Sequence, residues 1–226
     1  MKLSVKEAAR LLSVSEKTIY RWIQKEVIPA YRIHEQYRFN GAELMEWATS
    51  RRVGATPESL LSPATPSSTQ KISLSAALEA GGIFYRISGT TRDQVLADTV
   101  THLRLSDGID RDKLLNLLIV RENLCSTGIG NEIALPHLRN PGILPISRAT
   151  VTLCFTENKV DFHALDGLPV GVLFTIMAPD LPTHLHLYSR LNYLLQRPTL
   201  RNVLDPPAGR EEILATLRAE EGRLSV

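Results

Sequence analysis

The chain opens with apolar residues at helical spacing. Ser4 and Glu7 form a capping box, and apolar residues then recur every three or four positions, which predicts a helix that stops at residues 13–15. A second helix is predicted over 16–25, with an apolar stripe on one face and cations on the other. Two short helices joined by a tight polar turn, the second with outward cations, are typical of a helix-turn-helix.

A hairpin and a third helix are predicted directly after this pair. Runs of β-type residues at 28–33 and 37–39 flank a predicted turn at 34–36, and a capping box at 40–43 opens the third helix. This order predicts a winged helix-turn-helix. Over residues 2–50 the chain resembles the excisionase-type, MerR-like DNA-binding domains, in the segments S-V-K-E-A-A-R-L-L-S-V-S-E-K-T-I-Y-R-W-I, I-P-A-Y-R-I, Y-R-F and E-L-M-E-W-A.

Six side chains of this module are candidate DNA contacts. A recognition helix offers side chains to base edges, while flanking cations neutralise phosphates. For each residue alone, a solvated surface charge is the competing interpretation. The candidates are Lys17, Thr18 and Arg21, predicted to face the major groove, and Tyr20, Arg32 and Arg38, predicted to contact phosphates or lie in the wing.

Helix and strand patterns alternate over the rest of the chain, which predicts an α/β domain. Helices are predicted at 74–78, from a capping box at 91–94 to residue 103, and over 110–120, 181–196 and 210–219. Buried strands are predicted at 83–86, 133–135, 149–155 and 170–178.

Composition and charge divide the chain into two parts. Residues 54–70 are rich in Pro, Ser and Thr, which predicts a linker between a DNA-binding domain at 1–53 and a second domain at 71–226. Residues 1–56 hold ten basic and six acidic residues, against sixteen and eighteen in the remainder, which favours a nucleic-acid contact at the N-terminal end. We expect a cytoplasmic protein without membrane insertion, because no apolar run approaches the roughly 20 residues that span a bilayer.

The candidate chemistry lies around a histidine that follows a short strand. Gly128 and Gly130 flank one residue, so their backbone could present N–H groups to an anion, although a plain turn also accounts for them. Pro136 fixes the backbone before His137, which is a structural histidine or a nucleophile for phosphoryl transfer. His184 lies on the apolar face of a predicted helix, as a core hydrogen-bonding group or as a donor to a phosphate near His137.

Residues 73–220 resemble the phosphotransferase-system IIA domains of the fructose/mannitol type, and most of all their nitrogen-regulatory branch. The resemblance is carried by R-E-N-L-C-S-T-G-I-G-N-E-I-A-L-P-H, D-F-H-A-L-D-G-L-P-V-G-V-L-F-T-I-M-A-P and T-H-L-H-L-Y-S-R-L. It implies a mixed sheet flanked by helices, with His137 as phosphoacceptor, Arg121 as the cation at the site and His184 as the histidine that stabilises the phosphate. The expected phosphate-binding residues are Thr127, Gly128 and Gly130.

The resemblance also implies partners. A histidine phosphocarrier of the HPr type would supply the phosphoryl group, DNA would bind residues 1–53, and a regulated transporter or kinase and a second copy of the chain are further candidates. We expect no cofactor, metal or nucleotide, because the sequence has neither a Walker loop nor a metal-ligand cluster.

Three functions follow from these features. The chain is a phosphorylation-sensitive regulator of transcription, a transport component that passes phosphate to a sugar permease, or a phosphate relay whose head binds protein. The DNA-binding head favours the first. Whether such a phosphoryl-transfer protein acts as an enzyme is left open.

Overall fold

The structure is a computed structural model that describes residues 2–12, 14–25, 27–33, 36–50, 72–164 and 166–224. The chain divides into two compact units, Met1–Ser67 and Ser68–Val226. The predicted linker at 54–70 and the predicted turn residues His34 and Glu35 lie outside the described residues. None of the helices in the described ranges is long and apolar enough to cross a membrane.

The first unit combines helices with a small antiparallel sheet. Its elements are β1 (Lys2–Leu3), α1 (Val5–Leu11), α2 (Glu16–Gln24), β2 (Tyr31–Ile33), β3 (Gln36–Asn40) and α3 (Gly41–Ser50). The predicted capping box is confirmed, since the Ser4 side chain accepts from the Glu7 N–H and the Glu7 carboxylate accepts from the Ser4 N–H. The strand order is β1-β3-β2.

A small apolar core holds this unit together. Ile19 of α2, Phe39 of β3 and Leu44 of α3 are fully buried. Trp22 and Trp47 pack edge to face, with ring centroids 5.1 Å apart. Large aromatic contacts of this kind fix the angle between α2 and α3 and thereby set which face of α2 points outward.

The second unit contains the predicted α/β alternation. Its elements are α4 (Leu74–Gly81), β4 (Ile83–Ile87), α5 (Arg92–His102), α6 (Arg111–Leu124), β5 (Gly128–Gly130), β6 (Ile133–Ala134), β7 (Thr150–Val160), β8 (Val170–Met177), α7 (Leu181–Leu194), α8 (Pro198–Asn202) and α9 (Arg210–Gly222). The five strands form one mixed sheet in the order β4-β7-β8-β6-β5. The β4–β7 and β6–β8 pairs are parallel, and the β7–β8 and β5–β6 pairs are antiparallel.

Helices cover both faces of this sheet. Successive strand residues point to opposite faces, so Leu153 packs with α4, α7 and α9, while Cys154 packs with α5. Leu173 belongs to the Cys154 side, and Ile176 to the Leu153 side. The long apolar runs of β7 and β8 are the signature of strands buried on both faces.

Two boundaries differ from the sequence prediction in ways that matter for the site. Helix α6 continues four residues beyond the predicted end at Val120, so Arg121 and Glu122 are helical and buried. Gly128–Gly130 is a short strand rather than a loop, because it pairs with β6 across a two-residue turn. Both turn residues, Asn131 and Glu132, have positive φ, as tight hairpins require.

Candidate functional site

His137 lies at the end of the central sheet, beside the last residues of β8. The Ile176 N–H donates to the Pro136 carbonyl at 3.0 Å, and His137 forms a parallel bridge with Ile176. The imidazole is 1% exposed. Its Nδ1 lies 2.6 Å from the Leu135 carbonyl oxygen.

These contacts fix the protonation pattern of the neutral ring. A carbonyl oxygen can only accept, so Nδ1 carries the proton and donates to Leu135. Nε2 then holds the lone pair, and the Arg121 Nε–H donates to it at 3.2 Å. The second arm of the same guanidinium donates from Nη1 to the Cys125 carbonyl at 2.6 Å. Arg121 is 7% exposed, and it is positioned by the C-terminal turn of α6.

His184 lies against the same imidazole. The predicted inward orientation is confirmed, since His184 is 1% exposed and its ring centroid lies 5.0 Å from that of His137. Tyr188, one helical turn further along α7, packs edge-on to His137 with centroids 5.6 Å apart. Tyr188 is not among the predicted site residues, and its position four residues after His184 is the signal that points to it. The structure therefore brings Arg121, His137 and His184 together, with Tyr188 as a fourth member.

Glu122 is a buried carboxylate that sequence reasoning missed. The Thr127 N–H donates to its Oε1 at 2.9 Å and the Thr127 hydroxyl donates to its Oε2. Burial raises the pKa of Glu122 above its usual range, and the two hydrogen bonds from Thr127 and the nearby Arg121 and Arg92 charges oppose that shift. This pair ties the end of α6 to the segment that leads into β5.

The predicted phosphate-binding residues have packing roles of their own. The Gly128 N–H donates to the Ser126 hydroxyl, and a Cβ at Gly128 would come within 2.7 Å of the Ala164 Cβ. Gly130 has φ +93° and faces the Asp166 carboxylate, where only glycine fits without strain. Together with the hydrogen bonds from Thr127 to Glu122, these contacts explain why a threonine and two glycines occupy positions 127, 128 and 130. A phosphate-binding role for the three residues stays a prediction.

Of the described histidines outside this cluster, His163 and His186 belong to the segments that carry the family resemblance. His163 is exposed, with its Nδ1 3.0 Å from an Asp161 carboxylate oxygen. Helical spacing places His186 nearly opposite His184 on α7, yet His186 is half-buried, and its Nε2 lies 3.2 Å from the Ile72 carbonyl oxygen. The chain that leads into α4 covers this side of α7, a contact that helical periodicity alone does not reveal.

The outward face of α2 carries most of the candidate DNA contacts. Lys17, Tyr20 and Arg21 are exposed, and Tyr20 exposes 47% of its surface. Tyr20 packs edge-on to Tyr37 of β3, with centroids 6.4 Å apart. Thr18 is the exception, because its hydroxyl lies 2.9 Å from that of the helix cap Ser15.

The two strand candidates differ in their surroundings. Arg32 of β2 is exposed. Arg38 of β3 is half-buried, and its Nη2 donates to the Gln36 side chain at 2.6 Å. Arg32 thus presents a charge at the sheet surface, whereas Arg38 is held against its own strand.

Comparison with known proteins identifies both units. Residues 77–220 match the family model for the phosphoenolpyruvate-dependent sugar phosphotransferase system, EIIA 2. The chain belongs to this EIIA 2 family. Residues 3–52 match the model of a helix-turn-helix domain.

Named relatives of this EIIA 2 chain fall into two groups. A nitrogen regulatory protein of Pseudomonas aeruginosa is 34% identical over 59% of this chain and 86% of its own length. A phosphotransferase-system fructose-specific EIIABC component of Bacillus subtilis is 31% identical over 52% of this chain but 19% of its own length. Among solved structures, the nitrogen regulatory protein IIA-Ntr of Neisseria meningitidis aligns with TM-score 0.56 and 27% identity, covering 64% of this chain and 98% of that one.

Proposed function

We propose that this chain is a nitrogen-regulatory type of IIA protein that accepts a phosphoryl group on His137 and binds DNA through its helix-turn-helix head. We assign residues 1–53 to the DNA-binding domain, 54–70 to a linker and 71–226 to the phosphoacceptor domain. One observation carries the proposal: the Nε2 lone pair of His137 faces the guanidinium of a buried arginine. We further propose that the protein acts in the cytoplasm.

The hydrogen bonds of His137 select its reacting atom. With Nδ1–H bound to the Leu135 carbonyl, the nucleophile is Nε2. The bond between the phosphorus and the nitrogen of the carrier's phosphohistidine breaks as the Nε2–phosphorus bond forms, and the carrier nitrogen keeps the released electron pair. Nδ1 keeps its proton throughout, so its bond to Leu135 stabilises the positive charge that the ring gains during attack.

Arg121 has a different task before and during transfer. In the resting site its Nε–H covers Nε2, so the guanidinium must swing away from the ring as the phosphoryl group arrives. Phosphoryl transfer passes through a loose transition state whose charge is spread over the phosphoryl oxygens. A planar guanidinium can donate two parallel hydrogen bonds to those oxygens. His184, buried against the same ring, would donate a further hydrogen bond to the phosphate.

A docking surface for the carrier surrounds this arginine. Val120 and Leu124 lie one helical turn apart on α6, and they expose 57% and 51% of their surfaces. Exposed apolar side chains beside a buried functional group are typical of a protein–protein contact. We propose that the carrier covers Val120 and Leu124 and that this contact displaces Arg121 from Nε2.

The decisive experiment is phosphorylation by a purified HPr-type carrier, read by intact mass. The full chain should gain one acid-labile phosphoryl group, and His137→Ala should gain none. His163→Ala is the matched control and should behave as wild type, because His163 is exposed and distant in sequence from the cluster. Modification of His137→Ala to the wild-type level would contradict the assignment.

A small phosphodonor separates docking from chemistry. Val120→Glu should slow transfer from the protein carrier but leave phosphorylation by phosphoramidate unchanged, because the small donor needs no docking surface. Equal slowing with both donors would instead mean that the substitution disturbs the structure of the site, and it would contradict a docking role for Val120.

The DNA-binding part of the proposal rests on the head's exposed cations and its family match. Electrophoretic shifts with duplex DNA should weaken steeply with salt, because phosphate contacts release counterions. Regulation further requires that phosphorylated and unphosphorylated protein differ in DNA affinity at fixed salt, and linkage makes the effect reciprocal. Equal affinities would leave the two modules thermodynamically independent and contradict regulation through this head.

One alternative has support of its own. The match to a fructose-specific component favours a chain that passes its phosphoryl group to a sugar permease. Transfer from phosphorylated protein to a fructose permease domain, measured with radiolabelled phosphate, tests it. Rapid transfer with no DNA shift would favour this alternative, or a relay whose head binds protein, over the regulator.

A further inference from the structure

A cavity lies at the same end of the sheet as His137 but on the other face. It has a volume of about 270 Å³ and lies between the segment after α5, the segment before β7 and the last residue of β8. Met177 lines it and packs with the α5 and α6 cluster, whereas the preceding residue, Ile176, packs with the α7 cluster and pairs with His137. Adjacent strand residues point to opposite faces, so the sheet separates this cavity from the histidine cluster.

The described residues that line this cavity give it a net positive charge. Two are arginines, Arg104 and Arg148, and three carry hydroxyl groups, Ser106, Ser147 and Thr150; none is an aspartate or glutamate. In the described part of the chain, neither arginine forms an ion pair with an acidic side chain. A concave surface with cations of one sign raises the local concentration of anions.

Arg104 is held in place by backbone rather than by a carboxylate. Its Nη1 donates to the Glu79 and Ala80 carbonyls at 3.3 and 3.4 Å, at the C-terminal end of α4. Its guanidinium also packs on the Cα of Gly82, where an added Cβ would lie 3.2 Å from Cζ. Neutral carbonyls orient the guanidinium without neutralising it, so its charge stays available to a ligand.

Hydroxyl groups add polar contacts to the lining of this cavity. Ser106 and Ser147 lie in different loops, and their Oγ atoms are 2.9 Å apart. One hydroxyl donates to the other at this distance, and the second keeps its rotatable proton to donate to an anion. The rest of the lining is apolar and includes Leu105, Ile109 and Met177.

We propose that this cavity binds a small organic phosphate, a phosphomonoester whose carbon skeleton contacts Leu105, Ile109 and Met177. A phosphate dianion offers three acceptor oxygens, which suits two guanidinium groups and a hydroxyl pair better than a single carboxylate does. The volume allows a ligand of only a few carbon atoms. The site uses no atom of the His137 cluster, so the inference goes beyond the proposed phosphoacceptor function and does not depend on it.

The test is calorimetric titration of the full chain at fixed ionic strength with glycerol 3-phosphate, inorganic phosphate and succinate. Glycerol 3-phosphate should bind most tightly of the three. In NMR spectra of the protein, its addition should shift the amide signals of residues 104–109, 146–150 and their neighbours only. Arg104→Gln and Arg148→Gln should each weaken it about tenfold, the scale of one charge-assisted hydrogen bond. Arg148→Lys should weaken it less, since the charge remains.

The controls distinguish this site from the other cations of the chain. Arg86→Gln removes an 83% exposed guanidinium paired with Glu157 on β7 and should leave binding unchanged, as should His137→Ala. Equal weakening by Arg86→Gln, or loss of binding in His137→Ala, would overturn the proposal. So would unchanged affinity in a correctly folded Arg104→Gln, Arg148→Gln double variant. Weakened DNA binding by that variant without phosphomonoester binding would assign these cations to nucleic acid instead.

Discussion

The two candidate functional surfaces of this chain differ in how far they are exposed to water. At the proposed phosphoacceptor cluster, His137 and His184 are each 1% exposed and Arg121 is 7% exposed. On α2, Lys17, Tyr20 and Arg21 are exposed to solvent. A polar group buried without its partner costs far more than an exposed one, because water cannot replace the lost hydrogen bond.

This difference determines how each surface responds to change. In the buried cluster the hydrogen bonds are shielded from water, so a single substitution should have a large effect that depends little on salt. On the exposed helix, each cation contributes a small share that salt screens, and only the sum gives useful affinity. Substitutions on each surface test that contrast.

The largest effect is expected at Arg121. Arg121→Gln removes the charge and should slow phosphoryl transfer by about 10²- to 10³-fold, the scale for loss of one donor that stabilises transition-state charge. Arg121→Lys keeps the charge but loses the planar guanidinium, so its transfer rate should lie between those of Arg121→Gln and wild type. Single-turnover transfer from the phosphorylated carrier measures both. Arg197→Lys, a surface arginine stacked on Tyr193, is the matched control and should transfer normally.

A smaller effect is expected at His184. Loss of one hydrogen bond to the phosphorylated ring should lower the equilibrium phosphorylation yield about tenfold in His184→Ala. The lifetime of the phosphohistidine, followed by intact mass after removal of the carrier, should shorten as well. His186→Ala, two residues along the same helix but bonded to the Ile72 carbonyl, should leave the lifetime unchanged. Wild-type yield and lifetime in His184→Ala would remove His184 from phosphate stabilisation.

Local sequence patterns predicted the capped helices of both units. The capping boxes that open α1 and α5 are confirmed, with reciprocal bonds at Ser4 and Glu7 and at Thr91 and Gln94. These patterns work because both partners lie within four residues of each other, where the sequence specifies their contact directly. The inward side of His184 followed from helical spacing for the same reason.

Long-range contacts account for what the sequence did not predict. By local pattern Arg121 and Glu122 are polar residues near the end of a helix, yet both are buried. His137, sixteen residues after Arg121, and Thr127, beyond the end of the helix, supply their partners. Strand β1 has two residues and no periodicity of its own, so only its pairing with β3 reveals it. The raised pKa of Glu122 follows from burial, which no local pattern encodes.

On α2, single substitutions should have modest effects that depend on salt. Lys17→Gln and Arg21→Gln should each weaken DNA binding severalfold and reduce the slope of log affinity against log salt by about one. Titrations of duplex DNA at several salt concentrations measure that slope. Lys113→Gln, an exposed lysine at the start of α6, is the charge-matched control. A slope that stays constant in both head variants would place the DNA contact on another surface.

The smallest predicted effect concerns the titration of Glu122, the buried carboxylate at the end of α6. Its carboxyl should titrate above the ordinary value of 4.5 in a carbon-13 NMR measurement. Thr127→Val removes the hydroxyl that donates to Oε2, so it should raise this pKa further, whereas Thr156→Val, whose hydroxyl bonds the Gly171 carbonyl, should not. A folded pKa above the unfolded one favours the protonated carboxyl in the folded state. The contribution of Glu122 to the free energy of unfolding is therefore complete below the unfolded pKa and is lost as the pH rises through the folded pKa. A titration midpoint for Glu122 at or below 4.5 would mean that the Thr127 and Arg121 contacts outweigh the effect of burial on its pKa. The contrast between the buried cluster and the exposed face of α2 would then rest on hydrogen-bond geometry alone.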